Sequence, residues 1–282
     1  MGAAGGAVRR LFAGLSLAGI ACEAKGDRAQ RAPEPEFIVS VAGGSVTAPA
    51  TAGPGWTRLR VTEDGEGHIL VVFRLHDGVP PDASAFLAAL DTARGTPPAA
   101  IALGGPEMGD SGEVVLRLRP GTHVIACVRR GEDGHRHGSR GEAKVFVVAG
   151  DADSSGADSV PVATQTVRML DFAYGGSDRW PAGAQLLRIE NAGREDHQLR
   201  LVRLHDGTTV SAWMNAEEPG DHATDIAGVA RIGPSEAAYL RLDLAPGTYV
   251  LYCLIPDLAE GRPHVALGML KVVQVEAGGE RT

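Results

Sequence analysis

The chain alternates short apolar runs with polar turns, in the two-residue period of β-strands. In residues 239–244 three leucines alternate with Arg241 and Asp243. Further runs are rich in β-branched or aromatic residues and are separated by Gly, Pro and Asp: 37–41, 59–61, 69–73, 114–118, 124–127 and 145–148. Two helical candidates stand apart from these runs, at residues 83–91 and 210–215. The pattern predicts an all-β protein with one short helix in each half.

The two halves of the chain repeat one another. Residues 68–78 and 197–207 both run from a histidine to a Leu-His-Asp-Gly turn, and residues 120–127 and 246–253 both begin with Pro-Gly-Thr and end in cysteine. Matches of this length indicate an internal duplication. Several short strands in each half predict two tandem Greek-key β-sandwiches. Their predicted bounds are residues 37–149 and 160–276, and the small and acidic residues 150–159 form the predicted linker.

The first residues have the pattern of an export signal. Arg9 and Arg10 precede a short apolar run, which ends at Ala21 and is followed by Cys22. The run is too short to span a bilayer, so residues 1–22 are predicted to be a signal peptide. We therefore expect a protein outside the cytoplasm, in the periplasm or cell envelope.

The end of this segment predicts a lipid anchor. Residues 19–22 resemble the lipobox of bacterial lipoproteins, although Gly19 stands where leucine is usual. The resemblance makes Cys22 the candidate for lipidation. The charged, proline-containing residues 23–36 would then be a tether between membrane and domain.

Charge and cysteine usage exclude some classes of partner and bond. The net charge is −8 and the arginines are scattered, so the sequence predicts no nucleic-acid partner. Cys127 and Cys253 occupy the same place in the two halves. A disulfide framework would need pairs within one domain, so these cysteines are predicted to be thiols or thiolates.

The second half carries residues in the order of a known metal site. Asn191 precedes His197, a Pro-Gly-Thr-Tyr strand ends at Cys253, and His264 and Met269 follow. This order resembles the cupredoxins, the β-sandwich family of blue-copper proteins. The resemblance implies a cupredoxin-like fold and a type 1 copper site, in which two imidazoles, a thiolate and a weak axial thioether bind the metal. The loop between Cys253 and His264 is longer than the family usually keeps, which predicts a less pre-organised site.

The first half has a different set at the aligned positions. His68, Cys127 and His137 are present, but Glu142 replaces the methionine. One interpretation is a degenerate site or a second metal site of another kind. The other is that the cysteines are buried core thiols and the histidines are satisfied by backbone groups.

The resemblance leads to a function and an alternative. The leading hypothesis is an exported protein that binds copper in its second half, for electron transfer with a redox partner protein or for copper handling. The alternative is a metal-free binding or scaffolding module of the envelope. Tandem cupredoxin enzymes such as nitrite reductases and small laccases place a histidine next to the blue-copper cysteine, but Val128 and Leu254 follow the cysteines here. We therefore expect no enzyme activity.

Two repeated His-Asp pairs fall outside this set. His76 with Asp77, and His205 with Asp206, each follow a strand and precede a glycine. Asp-Gly is common in turns, so these pairs are predicted to be structural rather than catalytic.

Overall fold

The computed structural model describes residues 1–2, 34–65, 67–107, 111–150 and 160–277. Cys22 and nearly all of the predicted signal peptide, most of the tether and nearly all of the linker therefore lie outside the described residues. Among the described residues, none of the helices combines the length and the apolar character that a membrane crossing requires.

The first repeat is built from short strands and one helix. Its strands are β1 (Glu36–Ala42), β2 (Ser45–Thr47), β3 (Thr51–Ala52), β4 (Gly55–Glu63), β5 (Leu70–Leu75), β6 (Ala100–Pro106), β7 (Ser111–Leu118), β8 (Gly121–Cys127) and β9 (Ala143–Val148). Helix α1 (Ser84–Thr92) lies between β5 and β6, and a 3-10 turn spans His137–Arg140. The helix and the strands expected in this half are thus present.

The second repeat follows the same order. Its strands are β10 (Gln165–Leu170), β11 (Ala173–Gly175), β12 (Arg179–Pro181), β13 (Gly183–Asn191), β14 (His197–Leu204), β15 (Ala223–Ile232), β16 (Ala237–Leu244), β17 (Gly247–Tyr252) and β18 (Leu270–Glu276). Helix α2 (Val210–Met214) lies between β14 and β15, and 3-10 turns span Pro219–Asp221 and His264–Leu267. The fold class predicted from the sequence, all-β with tandem β-sandwiches, is confirmed.

Two sheets run continuously through both repeats. One has the strand order β11-β10-β13-β16-β7-β4-β1-β2, and the other has the order β12-β18-β17-β14-β15-β6-β5-β8-β9-β3. The repeats meet where β16 pairs with β7 and where β15 pairs with β6, both antiparallel. Each of these pairs joins equivalent strands of the two repeats, which gives the protein an internal pseudo-two-fold symmetry.

The two strands that join the repeats in the second sheet, β6 and β15, were not among the predicted strands. Each contains alanine and glycine, which have little preference for strands. Their glycines are needed because the backbones approach closely: a Cβ atom at Gly228 would lie 2.7 Å from the carbonyl oxygen of Leu199. At Gly105 a Cβ atom would collide with the carbonyl oxygen of Leu70, the residue equivalent to Leu199.

The core lies between the two sheets. Alternate residues of β1, Phe37, Val39 and Val41, point inward and are almost fully buried. The same apolar cluster continues through both repeats and includes Cys127 and Cys253. Both cysteines are free and fully buried, so the prediction that they form no disulfide is confirmed.

Candidate metal centre

Strand pairing brings the first two predicted ligands of the second repeat together. His197 begins β14, and Cys253 directly follows β17. The two strands pair antiparallel, with Arg200 opposite Tyr252, so the start of β14 and the end of β17 lie at the same edge of the sheet. Neither side chain has measurable exposure to solvent.

The long loop between Cys253 and His264 is fixed by hydrogen bonds. The carboxylate of Asp257 accepts from the backbone N–H groups of Ala259, Glu260 and Arg262 at 2.7 to 2.9 Å. The backbone N–H of His264 donates to the carbonyl of Ile255 at 2.9 Å. The loop therefore holds His264 in place, in contrast to the less pre-organised site expected from its length.

Three ligand atoms converge in the buried interior. The Nδ1 atoms of His197 and His264 are 3.0 Å apart, and the Sγ atom of Cys253 lies 3.5 Å from Nδ1 of His264. The candidate ligand atoms of these three residues all lie within 4.8 Å of one another. The backbone N–H of Gln198 donates to the same sulfur at 3.5 Å. The predicted ligands His197, Cys253 and His264 thus form one cluster.

Carboxylates lie on the far sides of both rings. Nε2 of His197 lies 3.2 Å from Oδ1 of Asp171, and Nε2 of His264 lies 3.4 Å from Oε2 of Glu195. A carboxylate at Nε2 favours the ring proton there and leaves the Nδ1 lone pair free. Burial lowers the pKa of both imidazoles, which favours their neutral forms. The two Nδ1 atoms lie 3.0 Å apart, a distance at which one ring donates to the other, and a metal ion between them would replace that proton and bind both lone pairs.

The thiol of Cys253 is protonated without a metal ion. Burial raises the pKa of Cys253 to about 12. A bound metal ion deprotonates a coordinating thiol, since the thiolate is the metal ligand. Metal binding at this site would therefore release a proton.

Met269 is close to the cluster through the backbone. Its N–H donates to the carbonyl of His264 at 2.9 Å, and its carbonyl accepts from the N–H of Cys253 at 3.4 Å. The side chain is fully buried in the same apolar core. Its assignment as the fourth ligand stays a prediction.

The segment before His197 is shaped to receive the ring. The side chain of Asn191 donates to the carbonyls of Glu195 and Ile232 and accepts from the N–H of Gly193. A Cβ atom at Gly193 would lie 2.6 Å from Nε2 of His197, so only glycine leaves room for the ring. Sequence reasoning noted Asn191 and missed Gly193, because the ring that Gly193 approaches is placed by the tertiary fold.

Phe172 shields the centre from solvent. Its ring packs edge-on against the His264 ring, with centroids 5.0 Å apart. Phe172 has a φ of 66°, a left-handed conformation that side chains other than glycine rarely adopt. Such backbone strain persists only where surrounding contacts enforce it.

The predicted set of the first repeat also forms a cluster. Candidate ligand atoms of His68, Cys127, His137 and Glu142 all lie within 4.8 Å of one another. One carboxylate oxygen of Glu142 lies 2.8 Å from Nδ1 of His68, and the other lies 3.2 Å from Nδ1 of His137. In this repeat, therefore, a carboxylate stands between the two imidazoles.

A carboxylate from the first repeat reaches towards the cluster of the second. Glu107 follows β6 and is buried, and Nε2 of Gln198 donates to both its oxygens at 2.8 Å. Arg200 lies 3.5 Å from the same carboxylate. Since Gln198 also donates its backbone N–H to Cys253, Glu107 holds a residue that contacts the thiol.

The buried carboxyl of Glu107 makes stability depend on pH. Burial raises its pKa from the ordinary 4.5 to about 7. Between these values the folded protein keeps a proton that the unfolded chain releases, so the free energy of unfolding falls as pH rises through this window. The difference corresponds to about 3 kcal/mol. We expect Glu107→Gln to remove this pH-dependent loss of stability. Denaturant unfolding at one pH below the two pKa values and at one pH above them would measure the difference.

The control for Glu107→Gln is Glu217→Gln, which changes an exposed glutamate. Its unfolding free energy should follow that of the wild type at each pH. If Glu107→Gln and wild type lost stability equally with rising pH, the role of Glu107 would be disproved.

The repeated His-Asp pairs are not members of either cluster. Nδ1 of His205 bonds to the carbonyl of Asp221 and Nε2 bonds to the hydroxyl of Thr224, each at 3.0 Å. The backbone N–H of His76 donates to the carbonyl of Ala99. These contacts fit the structural role predicted for the pairs.

Comparisons with known proteins identify copper proteins among similar structures. No protein-family model matches the chain, and no curated protein matches it. The chain is similar to reduced auracyanin from Roseiflexus castenholzii, with 22% identity over 39% of this chain and 94% of that one, at a TM-score of 0.29. It is also similar to blue copper oxidase from Nitrosomonas europaea, with 13% identity over 87% of this chain and 86% of that one, at a TM-score of 0.23.

A third similar structure is copper nitrite reductase from Nitrosomonas europaea, with 13% identity over 86% of this chain and 94% of that one, at a TM-score of 0.25. Two imidazoles and a thiolate are donors that suit copper, so these three residues fit the predicted cofactor.

Proposed function

We propose that the second repeat binds one copper ion and that the protein is an electron carrier. The observation that carries the proposal is the convergence of His197, Cys253 and His264 in a fully buried cluster, with both Nδ1 atoms turned inward. Met269 is the proposed axial ligand. When bound, copper supplies a one-electron couple between Cu(I) and Cu(II).

The protein's residues would hold the ligands still and exclude water. Asp171 and Glu195 orient the two imidazoles, and the N–H of Gln198 stabilises the thiolate. Hydrogen bonds to the cysteine sulfur and an apolar environment are known to tune the potential of such centres. The ring of Phe172 packs against the ring of His264, and the Asp257 turn fixes the loop that precedes it.

Burial of the ligands favours a carrier over an enzyme. The side chains of His197, Cys253 and His264 have no exposure, so a substrate has no direct access to them. Leu254, rather than histidine, follows Cys253. Electrons would enter and leave through the protein by contact with a redox partner protein.

A groove beside the centre offers a place for that contact. It has a volume of about 470 Å³, and its walls include Trp213, Met214 and Tyr252. Tyr252 and Leu254 line it and flank Cys253 in the chain, and Val265, which follows His264, also contributes. A partner seated there would contact residues that are bonded directly to Cys253 and His264 along the chain.

The proposal includes export and attachment to the membrane. The segment of residues 1–22 supports export to the periplasm or cell envelope, and Cys22 is the proposed lipidation site. A carrier held by the tether would stay near membrane-bound or envelope redox partners.

Copper titration tests the proposal directly. Wild-type protein should bind one equivalent of Cu(II) in the second repeat and develop an intense visible thiolate-to-copper absorption. One-electron reduction should bleach that absorption and reoxidation should restore it. Absence of stoichiometric copper would overturn the proposal and favour the metal-free module, and copper bound without the thiolate absorption would overturn the assignment of Cys253 as a ligand.

A further inference from the structure

The clusters of the two repeats share one backbone frame. In each, the N–H of the second histidine donates to the carbonyl two residues after the cysteine: His264 to Ile255 and His137 to Arg129, both at 2.9 Å. The N–H of Glu142 donates to the carbonyl of His137, as Met269 does to His264. Glu142 therefore occupies the position that Met269 has in the second repeat, within the same pattern of backbone hydrogen bonds.

As neutral imidazoles, the histidines of the first repeat are not satisfied by their protein contacts. His68 has a carboxylate at each ring nitrogen, Glu142 at 2.8 Å and Asp64 at 3.4 Å. A neutral imidazole has only one N–H and cannot donate to both. Nδ1 of His137 is buried without a hydrogen bond, although an oxygen of Glu142 lies at 3.2 Å. A cation among these atoms would satisfy both rings.

Charge favours a divalent ion in the first cluster. With Cys127 as thiolate, the first cluster contains two anionic ligands, because Glu142 adds a carboxylate. The second contains only the thiolate of Cys253. Buried charge is costly unless it is neutralised, so the first cluster matches a divalent ion and would keep an excess negative charge with Cu(I).

We infer that the first repeat contains a zinc site formed by His68, Cys127, His137 and Glu142. Two imidazoles, a thiolate and a carboxylate are all zinc ligands, and four protein ligands are the usual number in a structural zinc site. Asp64 would orient His68 from outside the coordination shell. This site would stabilise the fold without redox chemistry, and it is independent of copper in the second repeat.

The experiment measures Zn(II) binding to protein carrying Cys253→Ser, which disables the thiolate of the other cluster. Calorimetry should show one tight equivalent of Zn(II), and Zn(II) should raise the melting temperature. Co(II) in place of zinc should give the absorption of a tetrahedral thiolate complex. Adding Glu142→Gln should weaken Zn(II) binding at least about 100-fold, since loss of even an outer-shell partner costs 10- to 100-fold.

Two further variants separate metal binding from folding. Glu132→Gln, an exposed change in the same loop, should leave Zn(II) affinity unchanged. Glu142→Met recreates the donor set of the second repeat and should exchange tight zinc binding for a thiolate-to-copper absorption. Absence of tight Zn(II) binding, or equal affinity with and without Glu142→Gln, would overturn the inference and leave the copper proposal intact.

Discussion

Cys253→Ser should abolish the thiolate-to-copper absorption and lower copper affinity at least about 100-fold. The magnitude is a lower bound, because loss of an outer-shell partner alone costs 10- to 100-fold and Cys253 is a proposed ligand. The serine hydroxyl has a much higher pKa than a thiol and is a hard donor, so it would not replace the thiolate for copper. Visible spectroscopy and a competitive copper titration of the purified protein would measure both effects.

Cys127→Ser is the matched control, since it makes the same change at the equivalent buried position of the first repeat. It should leave the copper absorption of the second repeat in place. The assignment of the centre would be wrong if Cys253→Ser kept the absorption, or if both variants lost it equally while remaining folded.

Asp196→Ala should lower the free energy of unfolding by about 3 to 5 kcal/mol, the cost of leaving one partner of a buried ion pair uncompensated. Its carboxylate accepts from Nη1 of Arg231 at 2.7 Å, and both side chains are less than 10% exposed. The same oxygen accepts from the N–H and hydroxyl of Thr96, at 2.7 and 2.8 Å. Asp196 belongs to the second repeat and Thr96 to the first, so the change also weakens the contact between repeats.

Chemical denaturation of the wild type and of Asp196→Ala would measure the difference in the free energy of unfolding. The control is Glu260→Ala, which removes a carboxylate 3.9 Å from Arg262 in a pair that is more than half exposed on both sides. Surface pairs contribute about 1 kcal/mol or less. A loss for Asp196→Ala no larger than that of the control would contradict the importance of the buried pair.

Asp196 belongs both to the contact between the repeats and to the surroundings of the proposed copper site. It precedes His197, and its neighbour Glu195 faces the ring of His264. Glu107 reaches the same region from the first repeat through Gln198. The first repeat therefore contributes buried polar groups to the surroundings of the second cluster. It also contains a cluster of its own.

Several features could be predicted because they are local or repeat along the chain. Alternation of apolar and polar residues identified most strands, since successive side chains of a strand point to opposite faces. Matching segments identified the duplication. The order of His197, Cys253, His264 and Met269 indicated a copper donor set, and the structure brings the first three together.

Other features depended on partners that are far apart in the chain. Strands β6 and β15 contain alanine and glycine, and their pairing with each other joins the repeats in the second sheet. Asp171 and Glu195 carry no motif, and they matter because the fold places each beside an imidazole. The aligned Glu142 was visible in the sequence, but its position between two imidazoles was not.

The sequence by itself determined the fold class, the duplication and the types of donor atom, because these follow from side-chain periodicity and residue order. The tertiary structure alone decided which charges neutralise which atoms. It placed a carboxylate between the imidazoles of the first repeat, and it left two inward-facing nitrogens beside a buried thiol in the second. Such contacts arise only when sheet closure brings distant residues together, and they distinguish the proposed zinc site from the predicted copper site.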